Sequence, residues 1–260
     1  MSTKMSEEDW AHALAVFRAC LPRGGRKAGD DRRFLEALHV FTVENVRWRA
    51  LAGTLRSVQP RMETLRPIEQ SWRLRSLLRH ARLDEFVRAS HPDVRLDDRA
   101  RACVGRRGKR GQERQALGRS RGGFTTKIHA KSDASGDIIA FDLTGGEASD
   151  ARYFDILLDI GPDIQSRAVI CDKGYASKAN REAARARGIA PVIPHKANER
   201  DKPAFFASTL YKARSRIEQG VGRLKRFKRV ALRCEKTARN FRSIVSFAAG
   251  LCLIKFVHTA

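Results

Sequence analysis

The chain has 260 residues, 42% of them hydrophobic, and carries 52 Lys and Arg against 29 Asp and Glu, a formal charge of +23 with a pI near 10.8. That length and apolar content exclude a disordered basic tail and allow a buried core, as one large domain or a domain with a smaller helical piece. The charge is far beyond what solubility requires and points to a polyanionic partner. Nucleic acid is favoured over a membrane surface, because neutralised phosphates release counterions and no basic amphipathic terminus is evident.

The opening residues contain no apolar signal segment, and the apolar run 244–257 is short and interrupted by Ser246 and Lys255. Five scattered cysteines (Cys20, Cys103, Cys171, Cys234, Cys252) form no Cys-x-x-Cys pair and read as reduced thiols. The expectation is a cytoplasmic, nucleoid-associated protein with no membrane partner.

Residues 7–21 are predicted to be a helix, with Ser6 as N-cap, Asp9 three positions on, and Leu21-Pro22 as the stop. A basic, glycine-rich stretch, 23–29, leads to a second predicted helix over 31–50. Two helices with a basic connection fit a small DNA-reading module, although short paired helices are more often packing units. From 52 to 111 the chain changes character, with 14 Arg but 1 Lys and no sustained periodicity.

Order returns after Gly118. Residues 124–131 alternate apolar and polar, 133–137 supply turn chemistry, and 138–143 alternate again, which predicts a β-hairpin. Gly145-Gly146 opens a loop into a helix around 152–160. The apolar run 168–171 fits a buried central strand and ends in Asp172. A helix over 177–187 stopped by Gly188, a strand over 189–193, a polar loop, a helix over 210–230 and a last helix over 237–256 complete a mixed α/β order.

The helix over 210–230 sets Tyr211, Arg214, Glu218 and Lys225 at steps of three, four and seven, on one face. Leu210, Ile217, Val221 and Leu224 form a second, apolar stripe. One acid among three phosphate-suited groups reads either as an acid held over a nucleic-acid backbone or as a solvated face with an intrahelical Glu-to-Arg pair. Asp172 stands where α/β sheets present ligand-facing residues, at the C-terminal end of a strand. Carboxylates converging from Asp172 and Glu218 are what a divalent-metal site for phosphoryl transfer needs. The commoner role of a lone Asp at a strand end is to cap a turn.

The spacing of Tyr211, Arg214, Glu218 and Lys225 resembles the Tyr-Arg-Glu-Lys motif of bacterial insertion-sequence transposases of the DDE class. The flanking text looks like the IS-five kind: GRSRGGFTTKIHA at 118–130, CDKGYAS at 171–177, LYKARSRIEQ at 210–219 and KTARNF at 236–241. The resemblance runs from Arg114 to the C-terminus and includes Trp10, Leu21-Pro22 and the RWRAL stretch at 47–51. It implies an RNase H-like catalytic core over 112–260, a mixed sheet flanked by helices, behind an N-terminal helical DNA-binding module over 1–51 and an aberrant Arg-rich segment over 52–111. Three acids in such a core hold two Mg²⁺ ions for cutting and strand transfer.

On this resemblance Asp172 maps to the second acid and Glu218 to the third, as catalytic residues and metal ligands. Tyr211, Arg214 and Lys225 map to residues near DNA phosphate, with Arg119, Arg121 and Lys127 as further backbone contacts. The implied partners are double-stranded DNA, both terminal inverted repeats and target, with room for a homodimer on DNA.

The first acid is missing from its expected run. The family pattern has a stretch like FDSTTVRAHASAAGAK before GRSRGG, whereas residues 94–109 read VRLDDRARACVGRRGK. One nucleotide sequence encodes both when read two bases apart, so residues 52–111 are expected to be an out-of-frame segment between compensating frameshifts. The surplus of Arg over Lys agrees, since shifted GC-rich codons give CGN triplets often and AAR rarely. The catalytic Asp codon would then straddle Arg95 and Leu96, beside Asp97 and Asp98. Three outcomes stay open: an active enzyme with Asp97 or Asp98 as the first acid, an impaired copy that keeps DNA affinity, and a non-catalytic basic nucleic-acid-binding protein.

Overall fold

The computed structural model describes residues 3–20, 30–51, 86–90, 93–95, 115–120, 123–162, 166–199, 202 and 205–259. These fall into two compact units, the first drawn from 1–79, 94–115 and 223–260, the second from 80–93 and 116–222. Most of 52–111, including Asp97 and Asp98, lies outside the described residues.

Unit 1 is helical. Helix α1 (Glu7–Cys20) starts on a reciprocal cap, in which Asp9 N donates to Ser6 Oγ at 3.1 Å and Ser6 N to Asp9 Oδ2 at 2.8 Å. Helix α2 (Asp31–Glu44) is capped by Asp30, whose Oδ1 accepts from Arg33 N at 3.0 Å. It ends six residues short of the predicted boundary because Asn45 adopts a left-handed conformation, φ 56°, which an Asn side chain tolerates. A 3-10 turn, Trp48–Ala50, follows.

The core of unit 1 is aromatic and aliphatic: Trp10 and Phe17 from α1, Phe34, Leu38 and Phe41 from α2, and Phe241, Ile244, Val245, Ala248 and Leu251 further on are all buried. The last five lie on the helix predicted over 237–256.

Unit 2 is built on a mixed sheet. Its strands are β1 (Phe86–Ser90), β3 (Gly118–Ser120), β4 (Gly123–Ser132), β5 (Ile138–Gly145), β6 (Ala168–Cys171) and β7 (Ala190–Val192), with β2 (Asp93–Arg95) at the boundary between the units. β4 pairs antiparallel with β5, β3 and β1, and β1 then pairs parallel with β6, which pairs parallel with β7. The β4–β5 hairpin is closed by Asp133, whose Oδ1 accepts from Ser135 N at 3.0 Å and Asp137 N at 2.9 Å, while Gly136 takes φ +87°.

Helix α3 (Phe154–Asp159) and helix α4 (Lys178–Ala186), the latter capped by Ser177, cover one face of the sheet. Phe154, Leu157, Tyr175 and Ala184 pack there on Val169 and Cys171 of β6. On the opposite face, Ala168 and Ile170 meet Phe206, Ala207, Tyr211 and Ala213. The apolar run 168–171 is continuous because both faces of β6 are covered.

The predicted helix over 210–230 is three helices: α5 (Ser208–Lys212), α6 (Ser215–Lys225) and α7 (Lys228–Leu232). Tight i to i−3 hydrogen bonds mark the first break, from Arg214 N to Tyr211 O at 2.9 Å and from Ile217 N to Arg214 O at 3.2 Å. The break follows from packing: Tyr211 is held against β6 while Ile217 turns into a separate buried position. Helix α8 (Ala238–Thr259) closes the chain. Among the described residues, no helix is long and apolar enough to cross a membrane.

Candidate metal and nucleic-acid site

Strand alternation places Asp172. Its backbone stays extended, φ −75° and ψ 175°, so position 172 continues the side of the sheet taken by Ala168 and Ile170. That side is the one covered by Tyr211 and Ala213. Asp172 Oδ1 accepts from Gly174 N at 2.9 Å and so caps the short 3-10 turn Lys173–Tyr175. The capping role and a position at the C-terminal end of β6 therefore coexist in one carboxylate.

Glu218 is exposed on α6, and its Oε1 accepts from Arg214 Nη1 at 2.7 Å. Arg214 lies 5.8 Å from the centroid of the Tyr211 ring. Tyr211 in turn packs edge-on to Phe206, with ring centroids 5.4 Å apart. Tyr211, Arg214 and Glu218 are thus brought together as ring, cation and acid, in the Glu-to-Arg pairing of one of the two sequence readings, with Arg214 in the break between α5 and α6. Lys225 is the last residue of α6 and belongs to unit 1.

The hairpin cations part company. Arg119 is exposed on β3 and lies 5.4 Å from the centroid of the Phe124 ring, whereas Arg121 lies outside the described residues. Lys127 is buried: its Nζ donates to Ala148 O at 2.7 Å and to Asp150 Oδ1 at 2.9 Å. Two positions along β4, His129 stacks on Tyr153 with centroids 4.3 Å apart and Nε2 2.8 Å from Thr144 Oγ1. Lys131 then donates to Leu158 O and Ile160 O, both at 3.0 Å, closing the C-terminal end of α3. Burial pushes the Lys131 ammonium pKa down, and Asp159 partly restores it. The polar residues of β4 thus fasten the 148–160 segment to the sheet.

A further polar cluster sits at the end of β7, which the sequence reading passed over. Arg181 pairs with Glu199 at 2.7 Å and donates to Pro194 O at 3.2 Å, and His195 Nδ1 is 3.0 Å from Glu199 Oε2. Ile170 is level with Val192 at the end of β7, and Asp172 and Pro194 each follow two positions on in the chain. The polar loop directly after a predicted parallel strand was the available signal.

Position 90 is the counterpart on the central strand. Ala89 is level with Cys171, and the next residues along the two strands are Ser90 and Asp172. The sequence of β1, FVRAS, contains no acid. Among the described residues no group of three His, Cys, Asp or Glu is placed to hold a metal ion. Among the described residues one of the two candidate carboxylates caps a turn and the other is bound to a guanidinium.

Residues 89–253 match the family described as Transposase DDE domain. Over 138 residues, half of this chain, the sequence is 33% identical to a Burkholderia cepacia protein named as a transposase for insertion sequence element IS402, and the match spans 62% of that protein. Over 133 residues, 51% of this chain, it is also 33% identical to a Brucella ovis protein named as a transposase for insertion sequence element IS6501, which is matched over its whole length.

Proposed function

Because the chain belongs to the Transposase DDE domain family, we propose that it is an insertion-sequence transposase of the IS-five kind that grips double-stranded DNA, at terminal inverted repeats and at target, and does not cut it. Transposases of this family generally use divalent metal ions. The observation that carries the second half of the proposal is the β1–β6 register: Ala89 is level with Cys171, and Ser90, not an acid, follows it at the end of the central strand. Among the described residues no third donor joins Asp172 and Glu218 to hold a pair of Mg²⁺ ions.

The strand arrangement supports reading unit 2 as an RNase H-like core, three antiparallel strands followed by two parallel ones. In that reading Asp172 and Glu218 are the retained second and third acids. Arg214, Lys225 and Arg119 supply charge to phosphates, and Tyr211 walls the site and steers Arg214. Lys127 positions the 148–150 loop. The charge of +23 supports DNA as partner and a nucleoid-associated place in the cytoplasm.

The test is equilibrium binding to a duplex ending in the element's terminal repeat, beside a scrambled duplex, over a range of salt. A steep loss of affinity with salt and a preference for the repeat are expected. Equal affinity for both duplexes would instead make the chain a general nucleic-acid-coating protein.

A further inference from the structure

The chain carries +23 overall, but its first two helices have the opposite sign. Over α1 and α2 the sequence has three basic side chains, Arg18, Arg32 and Arg33, against six acidic ones. All three arginines are already paired: Arg18 with Asp31 at 3.1 Å, Arg32 with Glu7 at 3.0 Å and Glu36 at 2.6 Å, and Arg33 with Asp30 at 3.3 Å. A helix that reads bases from the major groove presents a row of side chains free to reach them, in a field that attracts phosphate. On α2 only Arg33 and Glu44 are exposed, and Glu44 is paired in turn, with Lys228 at 2.7 Å. Seven of its fourteen residues are buried, and it packs against both α1 and α7.

These helices hold the other end of the chain. Arg229 of α7 donates through Nη1 to Asn45 Oδ1 at 3.1 Å and to Val46 O at 3.4 Å, directly past the end of α2. Its guanidinium lies 3.6 Å from the centroid of the Phe41 ring, and its Nε donates to Glu235 Oε1. Glu235 is buried immediately before the KTARNF stretch that leads into α8, and the buried Arg233 lies over the Phe241 ring of that stretch. A charged pair so enclosed resists opening, since either partner left behind stays buried without compensation. One side chain therefore ties the end of α2 to the start of α8, across 184 positions of sequence. Because α8 packs on both α7 and α1, the four helices close into a ring.

We infer that α1 and α2 are a brace for the C-terminal helices and take no part in reading DNA sequence, with Arg229 as the positioning residue that couples the two ends of the chain. The coupling is independent of any ligand. The exclusion of α1 and α2 from base selection rests on the proposed duplex binding, and it leaves aside the basic stretch 23–29 between them.

Two measurements on the full-length chain test this. Hydrogen exchange followed by mass spectrometry reads the coupling: in Arg229→Met, amides of 41–44 and of the first turns of α8 should exchange roughly fivefold faster or more, while those of β4 in unit 2 keep their rates. An R229M/E235M variant leaves neither charge of the pair alone, and should show the same acceleration at 41–44 if the single variant does not fold. Unchanged exchange at 41–44 in a folded variant would overturn the coupling. Binding reads the rest: the ratio of affinities for a terminal-repeat and a scrambled duplex should agree within about twofold between the wild-type chain and R33E. A fall in that ratio of about tenfold would overturn the brace and make α2 a reader of sequence. A wild-type chain that binds neither duplex, or both alike, would count against the proposed function instead, and the exchange rates would still decide the coupling.

Discussion

Arg214 and Glu218 form a 2.7 Å ion pair one turn apart along the chain, both partly open to solvent, with the guanidinium also over the Tyr211 ring. An exposed pair of this kind stabilises a fold by only about 0.5 kcal/mol, so its consequence is for binding. On the proposed reading, in which no metal neutralises it, the Glu218 carboxylate repels phosphate and occupies the cation beside it. Glu218→Gln should therefore shift the melting temperature by no more than about 2 °C and raise duplex affinity about three- to tenfold at low salt. Fluorescence anisotropy reads the affinity, and a loss of affinity would show that Glu218 does not face DNA.

Lys127 was expected from sequence to lie near DNA, and the structure buries its ammonium between Ala148 O and Asp150. Lys127→Met removes one partner of a largely buried pair and leaves Asp150 and the loop carbonyl without it. A loss of about 3 kcal/mol in urea unfolding is expected, with an unchanged salt slope for duplex binding. A slope reduced by one unit at unchanged stability would return Lys127 to the phosphate contacts.

Gly220 of α6 lies against the β4–β5 turn. A Cβ there would come within 2.0 Å of Gly136 O, a backbone atom that cannot swing aside. Gly220→Ala should cost about 2 kcal/mol through displacement of the helix, although alanine is the better helix former by about 1 kcal/mol. A neutral or stabilising result in urea titration would mean that the helix and the turn do not touch.

His39 makes stability depend on pH. Burial holds its imidazole below the usual histidine value of 6.5 and nearby Lys255 adds to this, against the opposing pull of the Thr3 carbonyl and Glu44. The unfolded chain therefore takes up a proton first as pH falls, so stability present above 6.5 is lost on the way down through the lowered folded value. Thermal unfolding between pH 7 and 5 should show the decline, and His39→Gln should flatten it. Parallel profiles for the two chains would exclude His39 as its source.

Much of this fold could be read from local chemistry. Ser6 with Asp9, the Asp133 turn and the run 168–171 each specify an element through neighbouring residues, and each formed where expected. Failures came where distant contacts decide. Nothing within 210–230 announces that Tyr211 is claimed by Ile170 and Val192 while Ile217 is buried elsewhere, so three helices read as one. The alternation in 124–131 predicted a strand of the hairpin, but not that Lys127, His129 and Lys131 are buried because a later segment folds over them. At the site, the motif residues Tyr211, Arg214 and Glu218 could be read from spacing. For the Arg181–Glu199 cluster the sequence offers only the polar loop after a strand, since the paired residues lie eighteen positions apart.

The segment 52–111 is the remaining question of origin. Its strand β1, Phe86–Ser90, holds the central position in the sheet, earlier in the chain than the run 94–109 where the first acid was expected. The gene's nucleotides across codons 52–111 should contain, in another frame, an open run encoding an FDST-like sequence.

The central claim, DNA binding without cutting, is tested most directly by incubating the chain with a labelled terminal-repeat duplex in Mg²⁺ and in Mn²⁺, and resolving the products on a denaturing gel. The account predicts a bound duplex recovered at full length in both metals, with Asp172→Asn indistinguishable from the unaltered chain. Strand cleavage at the repeat end that Asp172→Asn abolishes would contradict it, and would mean that an acid outside the described residues completes the site.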